Sequence, residues 1–320
     1  MDITEDKIIS KLIENLKAKS RKKIVSGNKD KTILAPLFIF VCGKAFKARQ
    51  DSIRKYTIET LNKCTHKNFY GTEKNSVWCV ISENLYTQDL AEDIFSFEKM
   101  LAEISDKIII VAESPGTFCE LGAFVMDEQC RAKTIVINED KNNYKNSFIT
   151  KGPIKMLENK NDQSVIRHYG LDRIKSSTEY GEKIEKIAQE NFKLQLNNNS
   201  KEVELKTLIY ELACIVELFQ PLECSDAEIL YKKIKGFIHY TITNTAEHKI
   251  RNIRQVLSLM ESMELVKKQN GYYWLNKKVS CYNILFKISR EEFNNFRMAY
   301  LNRLDKCDPQ RMEICDEFKR

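Results

Sequence analysis

The length and composition of the chain exclude several classes of protein. Its 320 residues, of which 42% are hydrophobic, are enough for a large core and for two domains. No apolar run approaches the roughly 18 residues that a membrane-spanning helix needs, and a net charge of +7 only hints at a polyanionic partner. The ten cysteines are scattered and the N-terminus lacks an apolar signal region, so we expect reduced thiols and a cytoplasmic protein.

The first part of the chain alternates between helix and strand patterns. The predicted elements are an amphipathic helix over residues 4 to 23, a buried strand over 33 to 42, a polar helix over 45 to 63, a strand over 77 to 82 and a helix over 88 to 106. This order predicts an α/β fold with a right-handed parallel sheet. The carboxyl ends of the strands then share one edge, where Gly43, Glu83 and Tyr86 should lie. Asp89 and Glu92 are alternatives for a second acid there, although acidic residues are also common in a first helical turn.

The densest pattern is KIIIVAESPGTFCELGAF, residues 107 to 124. Its β-branched run predicts a strand covered on both faces, which Ser114, Pro115 and Gly116 then end. Thr117 and Glu120 match a capping box that opens a helix, and such a pair is more often structural than catalytic. A carboxylate at this edge and near a helix N-terminus, however, is also kept ionised, as a nucleophile at a sugar C1′ must be.

The string ESPGTFCELGAF resembles the G-T-x-x-E-x-G signature of nucleoside deoxyribosyltransferase-like enzymes, and it is similar to the toxin effectors that accompany bacterial retrons. The resemblance implies a Rossmann-like catalytic domain in which Glu120 attacks an N-glycosidic bond. It also implies that Ser114, Gly116 and Thr117 form the turn that meets the substrate. Deoxyribosyltransferases usually carry an acidic residue just before the Gly-Thr pair, whereas this chain has Ser114 and Pro115 there, which argues against simple nucleobase exchange.

Residues at the other predicted strand ends are further candidates for substrate binding. In the resembling families the first strand ends beside the sugar or phosphate, so Gly43 would give backbone access while Arg49 and Arg54 would supply positive charge. Glu83 is a candidate to bind ribose hydroxyls. Gly43 and the two arginines each have an ordinary structural alternative, because a glycine often closes a strand and helical arginines are usually solvated.

The sheet is predicted to continue through strands at residues 134 to 138 and 164 to 169, with a closing helix over 178 to 196. His168 stands alone in the last strand, so neither a metal ligand set nor a cofactor is predicted. The polar string at 197 to 202 predicts a boundary. It separates a catalytic domain, residues 1–196, from a second domain, residues 202–320.

The second domain is predicted to be a mostly helical winged helix-turn-helix. Helical spacing over residues 203 to 219 and 226 to 239 precedes residues 250 to 278, which resemble a recognition helix and wing, and the pair Asn270-Gly271 signals the hairpin of the wing. Five basic side chains are predicted to contact nucleic-acid phosphates: Lys249, Arg251, Arg254, Lys267 and Lys268. A winged helix that contacts only protein is the alternative.

The leading functional hypothesis is a retron effector toxin of anti-phage defence that hydrolyses the N-glycosidic bond of a nucleotide. NAD is the favoured substrate, because its cationic base leaves without a dedicated general acid. The resemblance implies that a reverse transcriptase and its branched RNA–DNA product hold the toxin inactive, and a homo-oligomer or higher assembly is an open possibility. Hydrolysis and transfer to another acceptor are both open. The alternative is a transcriptional regulator that senses a nucleotide without turnover.

Overall fold

The computed structural model describes residues 5–20, 23–25, 36–45, 51–67, 73–75, 77–83, 85–139, 145–168, 170–189, 193–195, 202–237, 239–243, 248–276 and 281–319. Its strands are β1 (Lys23–Val25), β2 (Leu37–Cys42), β3 (Thr65–Lys67), β4 (Glu73–Asn75), β5 (Val77–Val80), β6 (Lys107–Ala112), β7 (Thr134–Glu139), β8 (Val165–His168), β9 (Lys193–Gln195), β10 (Glu202–Glu204), β11 (Leu222–Glu223), β12 (Thr241–Thr243), β13 (Val266–Gln269) and β14 (Tyr272–Leu275).

The helices are α1 (Lys7–Lys17), α2 (Ile53–Lys63), α3 (Ile94–Ile104), α4 (Pro115–Met126), α5 (Glu128–Lys133), α6 (Lys155–Lys160), α7 (Leu171–Ser176), α8 (Thr178–Ala188), α9 (Leu205–Phe219), α10 (Cys224–Lys235), α11 (Ile253–Ser262), α12 (Arg290–Cys307) and α13 (Pro309–Lys319). None of the helices within the described ranges is long and apolar enough to cross a membrane.

A five-stranded parallel sheet in the order β5-β2-β6-β7-β8 confirms the predicted α/β class. The chain passes from β2 to its neighbour β5 and then crosses to β6 on the other side of β2. The direction of winding therefore reverses between β2 and β6. In doubly wound sheets ligands bind at the carboxyl ends of the strands that flank this switch point.

Helices cover both faces of the sheet, as the apolar strands require. Along β2 the side chains alternate, so that Phe38 and Phe40 pack with α3 and α4, whereas Ile39 and Val41 pack with α2 and α8. Cys42, the last residue of β2, lies on the α3 and α4 side. The two faces thus meet different helices at the end of the same strand.

The helical part of the chain, which runs from α9 to α13, packs on the α3 side of the sheet. Helix α9 is buried along almost its whole length; its Tyr210 hydroxyl donates to the Pro36 carbonyl at 2.7 Å, and its ring stacks on Trp78 at 5.2 Å between centroids. At the other end of the chain, Arg303 of α12 donates to Asp6, which caps α1, at 2.8 Å. Of the predicted boundary at residues 197–202, all but Glu202 lies outside the described residues, so the division into two domains remains a prediction.

The predicted hairpin at Asn270-Gly271 is confirmed. Strands β13 and β14 pair antiparallel, and both turn residues have positive φ, 51° at Asn270 and 84° at Gly271, as a type I′ turn requires. Strand β11 pairs with the other side of β14 to form a three-stranded sheet. Helices α10 and α11 come between β11 and β13, an element order that fits a winged helix.

Several helix boundaries differ from the predicted ones because capping residues decide where helices begin. Helix α3 starts at Ile94, not near residue 88, because the Asp93 side chain accepts from the Ser96 N–H at 2.8 Å. Asp89 and Glu92 therefore precede the helix. Helix α2 starts at Ile53, after the Ser52 cap, and not near residue 45.

Candidate functional site

The carboxyl edge of the sheet brings together polar residues that follow three adjacent strands. Gly43 follows β2, Ser82 and Glu83 follow β5, and Glu113 and Ser114 follow β6. These strands include the two that flank the switch point, so the predicted edge is where the fold favours a ligand site.

The turn after β6 differs from the predicted capping box. Ser114, not Thr117, caps α4, which begins at Pro115; the Ser114 hydroxyl accepts from the Thr117 N–H at 3.4 Å and Thr117 Oγ1 accepts from the Ser114 N–H at 3.0 Å. The pairing of Thr117 with Glu120 as a cap is therefore wrong. Proline at the first helical position favours this earlier start. Glu120 lies in the second turn, where capping gives it no role.

The carboxyl of Glu120 is half-buried and its pKa is raised to about 7. Burial is the main cause, followed by the negative charge of Glu98, while the Cys42 thiol and the Arg54 guanidinium act in the opposite direction. Its Oε2 atom is buried without a hydrogen-bond partner among the described residues. A buried carboxylate oxygen with no protein donor is an expected feature of a group that acts on a ligand.

Glu98 of α3 is a second carboxyl at this site that the sequence patterns did not single out. Burial also raises its pKa, and it accepts from the Ser82 hydroxyl at 2.7 Å. The only hint in the sequence is helical spacing: Glu98 shares a face of α3 with Leu101 and Ala102, which are both buried. The site thus contains a carboxyl pair, Glu98 and Glu120.

Arg54 is buried, in contrast to the usual expectation for a helical arginine; 1% of its surface is exposed. Both terminal nitrogens of its guanidinium donate to the carboxylate of Glu83, Nη2 at 2.9 Å. Nη2 also donates to the Val41 carbonyl at 2.6 Å, and Nη1 to the Gly43 carbonyl at 3.0 Å. Glu83, proposed to bind ribose, is therefore engaged by a protein cation. Its side chain remains 34% exposed.

Gly43 has a packing role that the sequence did not reveal. A Cβ at this position would come within 2.5 Å of Arg54 Cδ, so the glycine makes room for the arginine side chain. Gly116 lies exposed in the first turn of α4, where an added Cβ would come no closer than 4.0 Å to Ser114 Oγ, as expected for a residue that meets a ligand. Arg49 lies outside the described residues.

Comparison with known proteins identifies the family of the chain. Residues 50–268, more than half of the chain, match the profile of the STM3845 retron effector protein family. The chain belongs to this family. Over 303 residues the effector is 26% identical to an Escherichia coli protein named as a candidate ribosyltransferase/DNA-binding protein of retron Ec73; the match covers 88% of this chain and 89% of that protein. The Ec86 counterpart, also from Escherichia coli and with the same wording in its name, is 29% identical over 200 residues, covering 56% of this chain and 65% of that protein.

The basic residues that the effector was predicted to use on nucleic acid fall in two places. Lys249 and Arg251 precede α11, since Asn252 caps that helix, and only Arg254 lies on it, exposed. Lys267 and Lys268 are exposed on β13 of the hairpin. These positions are compatible with a phosphate-binding face at the helix start and wing.

Lys249 has an unexpected partner near the candidate active site. Its backbone N–H donates to the Leu90 carbonyl at 2.9 Å, and its ammonium lies 3.5 Å from the Glu92 carboxylate. Gln255 of α11 donates to the Asp89 carbonyl at 3.2 Å. The helical part of the effector therefore contacts the segment that connects β5 with α3, which leads to Glu98.

Within the described ranges the effector has no group of three or more His, Cys, Asp or Glu side chains placed to hold a metal ion. His168 is buried at the end of β8, where its Nδ1 accepts from the Gly170 N–H at 3.1 Å. Its place in the edge strand is as predicted.

Proposed function

We propose that this retron effector cleaves the N-glycosidic bond of a nucleotide whose base is cationic, with NAD as the substrate and Glu120 as the catalytic carboxylate. The observation that carries the proposal is the half-buried Glu120, with its buried Oε2 atom, at the switch point of the sheet. The names of the two relatives, which include ribosyltransferase, support glycosyl transfer chemistry at such a site.

The charge of the site favours a cationic substrate. Arg54 and Lys44 both act on Glu113, whereas Glu83, Glu98 and Glu120 are grouped around the Arg54 guanidinium, and the charges of Glu98 and Glu83 raise the pKa of Glu120. A single arginine does not balance them all. A pyridinium base and an oxocarbenium-like transition state would each supply positive charge, so binding of either would favour the ionised form of Glu120.

The reaction follows from these groups. The Glu120 carboxylate attacks or electrostatically supports C1′ while the bond from C1′ to the pyridinium nitrogen breaks, and the bond electrons neutralise the leaving base. No proton has to be given to that base. Water then attacks C1′, and where a bond from C1′ to Glu120 has formed, that bond breaks and its electrons return to the Glu120 carboxylate. The water proton passes to the Glu98 carboxylate, and the ribosyl product leaves. If another nucleophile replaces water, the same site performs transfer.

The helical part of the effector is proposed to bind nucleic acid through Lys249, Arg251, Arg254, Lys267 and Lys268. The names of the relatives include DNA-binding, and the exposed lysines of the hairpin suit phosphate contacts. In this proposal the partner is the branched RNA–DNA product of the retron together with its reverse transcriptase, which holds the toxin inactive.

The test is release of free base by the purified protein without a nucleic-acid partner. Wild type, Glu120→Gln and the surface control Glu182→Gln would be incubated with NAD and, separately, with deoxynucleotides, and the bases separated by chromatography. Wild type and the control should release nicotinamide from NAD, and Glu120→Gln should be slower by several orders of magnitude. Equal rates for wild type and Glu120→Gln would remove Glu120 from the mechanism. Ligand binding without turnover by any form would favour the nucleotide-sensing alternative.

A further inference from the structure

We propose that Arg54 is a positioning residue of the active site: it crosses the end of β2 to tie the neighbouring strand ends together and places a fixed positive charge beside the catalytic carboxyl. The inference rests on the proposed function, because the carboxyl that it positions is Glu120. Gly43, which was predicted to meet the substrate, then has a different role: it makes room for the Arg54 side chain.

The path of the side chain is the first observation. Helix α2 packs on the face of the sheet opposite α3 and α4, since its Ile53 and Leu61 share a core with Val41. Arg54 nevertheless donates to main-chain oxygens at the end of β2 and to Glu83, beyond β5. The missing Cβ of Gly43 is what permits this crossing. An arginine that only solvated α2 would not need such a passage.

The charge distribution is the second observation. Glu83 alone would neutralise the charge of the guanidinium, because its carboxylate binds both terminal nitrogens. Arg54 also acts on Glu98, Glu113 and Glu120, lowering the pKa of each against the effect of burial. More carboxyls thus surround Arg54 than a structural ion pair requires. The cation is placed where it can decide which of them is ionised.

The groups around Glu120 set the direction of the expected effects. Cys42 reaches it from β2, Arg54 from α2, Glu83 from the end of β5 and Glu98 from α3. Removal of the Arg54 charge should therefore raise the pKa of Glu120, whereas removal of the Glu83 charge should lower it. An ion pair that only held the strand ends together, too far from Glu120 to act on it, would shift the pKa of Glu120 in neither variant.

The experiment compares Arg54→Gln, Arg54→Lys and Glu83→Gln, with Arg303→Gln as a matched control in the ion pair with Asp6. For Arg54→Gln we expect the acid limb of the kcat/KM pH profile to move up by about one pH unit, which lowers activity at pH 7 about fivefold with recovery above pH 9. Glu83→Gln should move the limb down. Arg54→Lys should keep the midpoint but lose kcat, because an ammonium lacks the planar fork.

A second readout needs no turnover. The stabilising effect of Glu120→Gln, measured by thermal unfolding from pH 4 to pH 9 in each background, should begin near pH 4.5 in all of them. It should level off at a higher pH and a larger value in Arg54→Gln, and at a lower pH and a smaller value in Glu83→Gln. Such shifts in a protein that cleaves nothing would reject the proposed function but keep the role of Arg54. Identical kcat/KM midpoints, together with levelling-off at the same pH in wild type, Arg54→Gln and Glu83→Gln, would overturn the inference. If Arg54→Gln does not fold, an unmoved midpoint in Glu83→Gln has the same force.

Discussion

Replacing Glu120 with glutamine should abolish cleavage and at the same time stabilise the folded protein at alkaline pH. The reason is the cost of ionising a buried carboxyl. In the unfolded chain Glu120 loses its proton near its ordinary pKa of 4.5, whereas in the folded protein it does so only near pH 7. Between these values the folded state binds the proton more tightly, so the free energy of unfolding falls as pH rises.

The size of the effect follows from the shift. A move from 4.5 to about 7 corresponds to an upper limit of about 3 kcal/mol at 1.36 kcal/mol for each pKa unit. The carboxyl is only half-buried, so solvent screening reduces this to about 2 kcal/mol. Glutamine does not ionise, and Glu120→Gln should therefore gain about 2 kcal/mol at pH 8 and nothing below pH 4.5.

The assay is thermal unfolding of wild type, Glu120→Gln and the exposed control Glu182→Gln at pH 4.5 and pH 8. A gain of this size raises Tm by about 3 °C in a protein of this length, and the control should not change at either pH. In the free protein, kcat/KM should rise with pH through about pH 7, since the ionised carboxyl is the active form. A loss of stability in Glu120→Gln at pH 8, or an equal gain at both pH values, would refute the reasoning.

Three other changes test separate features of the structure. Gly43→Ala should lower the free energy of unfolding by about 2 kcal/mol, because the added methyl group would lie 2.5 Å from Arg54 Cδ. Gly122→Ala, where the added methyl group has nothing within 4 Å, should be neutral or stabilising. Thr117→Val should cost about 1–2 kcal/mol, because the buried hydroxyl accepts from two backbone N–H groups at the start of α4. Reversal of Lys267 and Lys268 to glutamate should weaken binding of a branched or duplex nucleic acid and reduce its log–log salt slope by about 2. If the affinity, measured by anisotropy, stayed unchanged in this variant and did not depend on salt, those lysines would not belong to the interface.

Local patterns were sufficient for much of the fold. The run from Ile108 to Val111 has no polar alternation and became the central, fully covered strand, because only burial on both faces suits it. The Asn270-Gly271 turn was predicted equally well, since positive φ at both positions is a property of those residues. The strand-helix alternation likewise predicted the carboxyl edge where Glu120 lies.

Capping at the start of α4 was harder to predict, because two overlapping patterns compete within four residues. Ser114 followed by Pro115 and Thr117 followed by Glu120 are both acceptable helix starts. The structure takes the first, which frees Glu120 from a structural role. The difference changes the interpretation of the catalytic residue, although it moves the helix by less than one turn.

The sequence by itself determined which segments are strands, where the tight turns lie and that Glu120 stands at the sheet edge, because backbone propensity and hydrophobic period act over a few residues. Only the tertiary structure decided the partners of that carboxyl. Glu98 and Arg54 reach it from helices on opposite faces of the sheet, and Glu83 comes from a third segment. These contacts between distant segments depend on the strand order and on the space that Gly43 leaves for Arg54. Local sequence patterns contain neither, so the electrostatics of the site could not be predicted before the sheet was assembled.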